Sequence, residues 1–179
     1  LAELYKLTVD DIERITTLNA KKLFGIAQSV EKPEIAYVIR NSLYLNITSR
    51  CPNKCVFCTR ETAPYVKGHY LGTDSEPTVE ELKSAIGDTS GYDEVVFCGF
   101  GESTERMDVL KEIAGYLKKK GSKIRLDTNG LGDLINGRPI CEELRGLVDT
   151  ICISLNTNIE EEYQKLCHSE YDDQAYPAL

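Results

Sequence analysis

From residue 43 onward the chain switches repeatedly between two hydrophobic periods, and this alternation limits it to few folds. Leu43–Thr48 (Leu-Tyr-Leu-Asn-Ile-Thr) has the two-residue period of a strand. Thr78–Gly87 has a helical period, with Thr78 and Glu81 as a capping box and Val79, Leu82, Ala85 and Ile86 as the buried stripe. Glu94–Cys98 is strand-like. Arg106–Lys120 is helical, with Met107, Leu110, Ile113, Ala114 and Leu117 on one face and Gly121 as the stop. Lys123–Asp127 is again a strand. Pro139–Leu147 reads as a short helix with proline in its first turn. Thr150–Leu155 is a fourth strand, and Asn158–His168 a helix with Asn158 as cap and Glu161 as its acid. Consecutive parallel strands need such helical crossovers, so the pattern predicts an α/β fold built from parallel βα units.

The stretch before residue 43 has a different character. Residues 7–25 predict a separate helix, capped by Thr8 and Asp11, with Val9, Ile12, Leu23 and Phe24 as its apolar positions and Gly25 as its stop. Residues 27–41, centred on Glu31-Lys32-Pro33-Glu34, read as a linker. This gives an appendage over 1–26, the linker, and a main domain over 42–179. The chain opens on leucine rather than methionine, so it is expected to be a fragment.

A net charge of −8 over 179 residues argues against a nucleic-acid or anionic-membrane surface, which needs clustered basic side chains. The one basic run, Lys118-Lys119-Lys120, suits a helix C-terminus instead. No apolar run nears the ~20 residues that cross a bilayer. Seven cysteines without a secretion signal predict reduced thiols and a cytoplasmic location. Cys98, Cys141, Cys152 and Cys167 are expected to be small buried hydrophobes.

The other three cysteines form a motif. Cys51, Cys55 and Cys58 are spaced C-x3-C-x2-C immediately after the first strand. Structural zinc takes four protein ligands, and Cys98 or His69 would be candidates for the fourth. A cubane iron–sulfur cluster held by three cysteines keeps one iron open to a small molecule, so three thiols favour chemistry over scaffolding. Each later strand also ends in a polar or glycine-rich motif: Gly99-Phe100-Gly101-Glu102, then Asp127-Thr128-Asn129-Gly130, then Ser154-Leu155-Asn156-Thr157. In a parallel barrel the C-terminal strand ends share a rim, so these motifs would meet around one ligand. The loop Glu61–Glu76, with Tyr65, His69 and Tyr70, follows the cysteines directly and has two readings, an ordinary surface loop, which is favoured, and a substrate-facing loop.

In combination these motifs resemble the radical S-adenosylmethionine (SAM) enzymes over roughly residues 35–179. The segments around Asn41–Cys55, Val95–Glu102 and Asp127–Arg138 are most similar to the TatD-linked radical SAM group. Residues 1–26 resemble the C-terminal tail of TatD-type metal-dependent hydrolases. The resemblance implies a partial (β/α) barrel, here cut short after about four βα units. It implies that Cys51, Cys55 and Cys58 hold a 4Fe–4S cluster whose open iron takes SAM. Reductive cleavage of SAM would yield a 5′-deoxyadenosyl radical that abstracts hydrogen from a substrate. By position, Phe57 would lie against the adenine, and Gly99 and Gly101 would let backbone approach the ligand. Glu102 would accept from the SAM ammonium. Thr128 and Ser154 would sit near its methionine end and ribose, and Asn156 would bond the ribose. Phe100 stands where the family often has glycine. A reductant such as flavodoxin or ferredoxin, and association with a TatD-type hydrolase, are the implied partners. Two other readings remain: a non-catalytic zinc- or iron–sulfur-binding module, and a TatD-type hydrolase. The second lacks histidines in the tail from which to build a two-metal site.

Overall fold

The computed structural model describes residues 1–26, 32–60, 63–72 and 75–179. Glu31, at the centre of the expected linker, and Glu61, Thr62, Thr73 and Asp74 of the expected surface loop lie outside the described residues.

The four expected strands form in sequence order. They are β2 (Ser42–Leu45), β5 (Glu94–Phe97), β6 (Ile124–Thr128) and β7 (Thr150–Ile153), each parallel to its neighbour. Helices α3 (Val79–Ile86) and α4 (Met107–Lys119) provide the first two crossovers. The third crossover is broken into α5 (Gly132–Asn136) and α6 (Cys141–Leu144), and α7 (Glu160–Cys167) follows β7. The arrangement is the α/β fold of parallel βα units that the alternation predicts, and it is consistent with the partial barrel that the resemblance implies.

Two local expectations are corrected. The third helix was expected over Pro139–Leu147, but Pro139 and Ile140 precede α6, and α5 forms upstream of it. Asn136 Nδ2 donates to Gly132 O within α5, and Asp133 Oδ1 accepts from Ile140 N, closing the bend between the two short helices. At α7 the cap residue is Ile159, not Asn158. Thr157 supplies the polar contact instead, accepting from Ile159 N at 3.1 Å.

The larger correction concerns residues 36–39, which belong to the sheet rather than to a linker. They form β1 (Ala36–Ile39), antiparallel to β2, so the sheet runs β1-β2-β5-β6-β7. An added edge strand needs its outer carbonyls covered. The Val38 carbonyl accepts from Arg14 Nη2 at 3.3 Å and lies 2.9 Å from His69 Nε2. Arg14 sits on α2 (Val9–Phe24), which follows the single-turn helix α1 (Ala2–Tyr5). His69 opens β4 (His69–Tyr70), paired with β3 (Tyr65–Val66) in a small hairpin.

The appendage is therefore tied to the sheet, and one acid does most of the tying. Asp11 closes the expected capping box with Thr8. It is also buried, accepting from Arg40 N at 3.1 Å and pairing with Arg14. Burial pushes its carboxyl up, but the bonds from Thr8, Arg40 and Arg14 outweigh that and leave it below the usual carboxylate range.

Alternation along the strands sorts the sheet into two faces. Leu43, Leu45, Val95, Phe97, Ile124 and Leu126 pack with α3, α4 and α6 in the main core. The opposite face carries Tyr44, Val96 and Arg125 at one level, and Asp127 level with Cys152 above them. Parallel strands packed on both faces read as continuous apolar runs. The Ile-Arg-Leu-Asp-Thr of β6 marks this inner face as a polar, lined surface.

Candidate functional site

The cysteine loop leaves the C-terminal end of β2, and backbone bonds fix its course. Lys54 N donates to Cys167 O and Val56 N to Leu166 O, both at 2.9 Å, so the residues flanking Cys55 are clamped to the end of α7. Glu170 N donates to Pro52 O at 2.9 Å, and Asn53 bridges to Ser169. At the loop's entrance the Thr48 hydroxyl donates to Glu76, which Arg50 also holds at 2.8 Å. Arg106 Nη1 donates to Ile47 O and Pro77 O at 2.8 Å each. Burial raises the Glu76 carboxyl, but Thr48 and the two guanidiniums prevail and hold it below the usual range.

All three motif cysteines are half-buried. Burial raises the Cys51 thiol and pushes Cys55 up to about 12, with Cys167, Cys51 and Cys58 adding to the shift at Cys55. Thiols raised in this way need a cation to become thiolates. Among the described residues, no three His, Cys, Asp or Glu side chains close on one point as a single metal ion requires. Tetrahedral zinc, with bonds of about 2.3 Å, draws its sulfurs to within about 4 Å of one another. A cubane's cysteines each bind a different iron and stand wider apart. Three sulfurs on one clamped loop are the donor set that a cluster's irons take. The two candidate fourth zinc ligands are engaged elsewhere: His69 lies between Glu34 and Val38 O, and Cys98 lies beside Asp127.

The Gly-x-Gly-Glu turn after β5 has a structural job. A Cβ on Gly99 would sit 2.1 Å from Asn46 Oδ1, and one on Gly101 would sit 2.4 Å from Thr48 O and 2.5 Å from Arg50 O. Both glycines thus let this turn pack against the start of the cysteine loop, a close approach to protein rather than only to a ligand. Gly101 N donates to Thr48 O at 3.0 Å, and Glu102 N to Arg50 O at 2.8 Å. Phe100, where the resemblance leads one to expect glycine, is buried with Tyr37 and Leu71, and its N–H donates to Asn46 Oδ1 at 3.1 Å.

Glu102 is only 4% exposed and ties two strand ends together. Its Oε1 accepts from Thr104 N at 3.1 Å, from the Thr104 hydroxyl at 2.8 Å and from the Thr128 hydroxyl at 2.8 Å. Its Oε2 accepts from Asn129 N at 2.7 Å. A carboxylate offers about four lone-pair positions, so Oε2 keeps one direction for a further donor. Asn129 in turn directs its Nδ2 at Cys51 Sγ, 3.9 Å away. The first three strand-end motifs are thereby joined through Glu102 and Asn129.

The fourth motif is placed differently. Ser154 is exposed, joined to β6 by its N–H, which donates to Thr128 O at 2.9 Å. Asn156 has φ 64° and turns its Nδ2 onto Cys167 Sγ at 3.4 Å. Phe57 stands 56% exposed beside Cys58, with its ring open to a ligand. Of the cysteines expected to be buried hydrophobes, Cys167 is fully buried, but Cys141 and Cys152 are exposed. Cys152 lies on the edge strand β7, whose four residues are all exposed, and Cys141 begins α6. Sequence reasoning missed Asn129, Tyr163, Cys167 and Asp127. Asn129 stood inside a motif already singled out. Asp127 opened the same motif, and its place as the acid between Leu126 and Thr128 was the further signal. Burial raises its carboxyl, with Cys98 and Cys152 alongside.

Comparison with known proteins matches residues 45–177 to the Radical SAM superfamily model. Over 87 residues, 48% of this chain and 20% of the relative, the chain is 36% identical to the Fe-coproporphyrin III synthase of Methanosarcina barkeri. Over 113 residues, 62% of this chain and 42% of the relative, it is 32% identical to a protein of Methanocaldococcus jannaschii provisionally named a glycyl-radical enzyme activating enzyme. The chain thus spans less than half the length of each of these curated relatives. The family match begins inside β2 and runs through all four rim motifs, the same stretch in which the cysteine loop, Glu102 and Asn129 are locked together: the chain belongs to the radical SAM superfamily.

Proposed function

We propose that the chain carries the cofactor-binding part of a radical SAM enzyme, with Cys51, Cys55 and Cys58 as the ligands of a 4Fe–4S cluster. The observation that carries this reading is the clamped, all-cysteine loop joined through Asn129 and Glu102 to the turns after β5 and β6. When bound, the reduced cluster supplies homolytic cleavage of SAM and a 5′-deoxyadenosyl radical for hydrogen abstraction. The chain's own residues hold the geometry. Gly99 and Gly101 bring the β5 turn onto Thr48 and Arg50. Glu102 fixes Thr128 and Asn129 and offers Oε2 to the SAM ammonium, a charge-assisted contact. Phe57 covers the adenine, and Ser154 and Asn156 lie toward the ribose. The inner-face groups Arg125 and Asp127 line the approach of a polar substrate.

Within the superfamily we assign the chain to the TatD-linked group, on the motifs after β2, β5 and β6. Residues 1–26 are read as a TatD-like tail, which Asp11 and Arg14 dock onto β1. An oxygen-sensitive cluster and unpaired cysteines suit a reducing cytoplasm, with flavodoxin or ferredoxin as electron donor. No helix of the described residues is long and apolar enough to cross a membrane. Metal analysis after anaerobic reconstitution with iron and sulfide tests the reading. About four irons per chain are expected, lost in Cys55→Ala. One zinc and no iron would instead select the non-catalytic module.

A further inference from the structure

Of the four cysteines that the chemistry proposed above leaves unused, Cys167 is the completely buried one, at the end of α7 against the cysteine loop. Cys55 packs against the small buried cluster to which Cys167 belongs, and Cys167 is among the groups that raise the Cys55 thiol. The backbone builds that proximity: Lys54 N and Val56 N, on either side of Cys55, donate to Cys167 O and Leu166 O.

The surroundings of Cys167 also orient its proton. Asn156 Nδ2 is a donor and points at Cys167 Sγ from 3.4 Å. The Tyr163 hydroxyl accepts from Asn53 Nδ2 at 3.3 Å, so its own proton is free to go to the Cys167 sulfur it contacts. Two donors thus occupy the sulfur's lone pairs, and its single S–H is left to point at Cys55. A Cys55 that ligates iron has lost its own proton and can only accept.

We propose that Cys167 is a positioning residue for the cluster, donating an S–H···S hydrogen bond to the Cys55 ligand and raising the cluster's reduction potential. The proposal rests on Cys55 being a cluster ligand. Hydrogen bonds to cluster sulfurs favour the reduced, more negative state, so they are one of the levers that set its potential. Asn53, Tyr163 and Asn156 then form the outer support that keeps the S–H aimed.

The test uses the reconstituted chain without SAM. Iron and sulfide content and the midpoint potential, from a dye-mediated titration followed by electron paramagnetic resonance, are measured for five proteins: wild type, Cys167→Ala, Cys167→Val, Cys167→Ser and the exposed control Cys141→Ala. Alanine and valine both remove the donor, and valine keeps the site filled. The expected result is full cluster content throughout and a more negative midpoint in the alanine and valine variants. The serine variant, which keeps a donor, should return toward wild type, and Cys141→Ala should match it. Fully loaded alanine and valine variants with an unchanged midpoint would overturn the role of Cys167 and leave the Cys55 assignment standing. Iron lost from all three Cys167 variants would make Cys167 a ligand, not a donor. A wild-type chain that takes up no iron would overturn the underlying reading as well.

Discussion

Glu102→Gln separates a scaffolding carboxylate from one that serves only a ligand. The substitution is nearly isosteric, so its effect comes from hydrogen bonding. Gln can keep its carbonyl oxygen where Oε1 accepts from Thr104 N, the Thr104 hydroxyl and the Thr128 hydroxyl. Its amide nitrogen must then stand where Oε2 accepts from Asn129 N at 2.7 Å, setting two donors against each other. Turning the amide over is worse, because three donors would then face nitrogen. The variant loses one bond to a charged acceptor, weakens three more and leaves Asn129 N–H unpaired, a combined cost of about 3 kcal/mol. For a chain of this size that lowers Tm by about 6–12 °C. Thermal unfolding of the cofactor-free protein, followed by circular dichroism, is the assay, since no ligand is then present to confuse the two roles. A variant that melts with the wild type would refute the tie between the β5 and β6 ends and return Glu102 to ligand binding alone.

Other expected outcomes follow from the same geometry. Gly101→Ala forces a Cβ against two backbone carbonyls, so it should destabilise by about 1–3 kcal/mol, whereas Gly115→Ala, mid-helix in α4 with nothing within 4 Å, should stabilise by about 0.5–1 kcal/mol in the same melting assay. Asp11 has a depressed carboxyl, so its stabilisation is complete above the unfolded value of 3.8 and is lost as pH falls through the lower folded value. Asp11→Asn should therefore weaken the wild type's loss of protection across residues 9–24 on acidification, read by hydrogen exchange, and should already expose that helix at neutral pH. Alkylation of the metal-free native chain should label the exposed Cys141 and Cys152 first and Cys167 only on unfolding, as peptide mass spectrometry would report.

The periodic parts of the fold were legible because each carried its own local signal. β2, β5, β6 and β7 alternate or run apolar, and α2 and α3 have reciprocal capping boxes written in Thr8/Asp11 and Thr78/Glu81. β1 was not legible. Ala36–Ile39 follows a proline-containing stretch and gains its strand character from pairing with β2 and from the remote donors Arg14 and His69. The break between α5 and α6 depends on Asp133 reaching Ile140 N, a tertiary choice that propensity does not contain. At the site, residue types announced the cysteines and the Gly-x-Gly-Glu turn, while their partners were hidden by sequence distance. Asn129 reaches Cys51 across 78 positions, and Asn53 reaches Tyr163 across 110. The two glycines were readable as close-approach positions, but only the structure shows that the approach is to Asn46, Thr48 and Arg50.

The proposed function requires a cluster on this chain that cleaves SAM. Its most direct test is to reconstitute the protein anaerobically, reduce it with dithionite, add SAM and assay 5′-deoxyadenosine by chromatography and mass spectrometry. The expected result is 5′-deoxyadenosine whose formation depends on reductant and is abolished in Cys51→Ala, Cys55→Ala and Cys58→Ala. A protein with its full complement of iron that forms none, or a Cys55→Ala variant that forms as much as wild type, would contradict it.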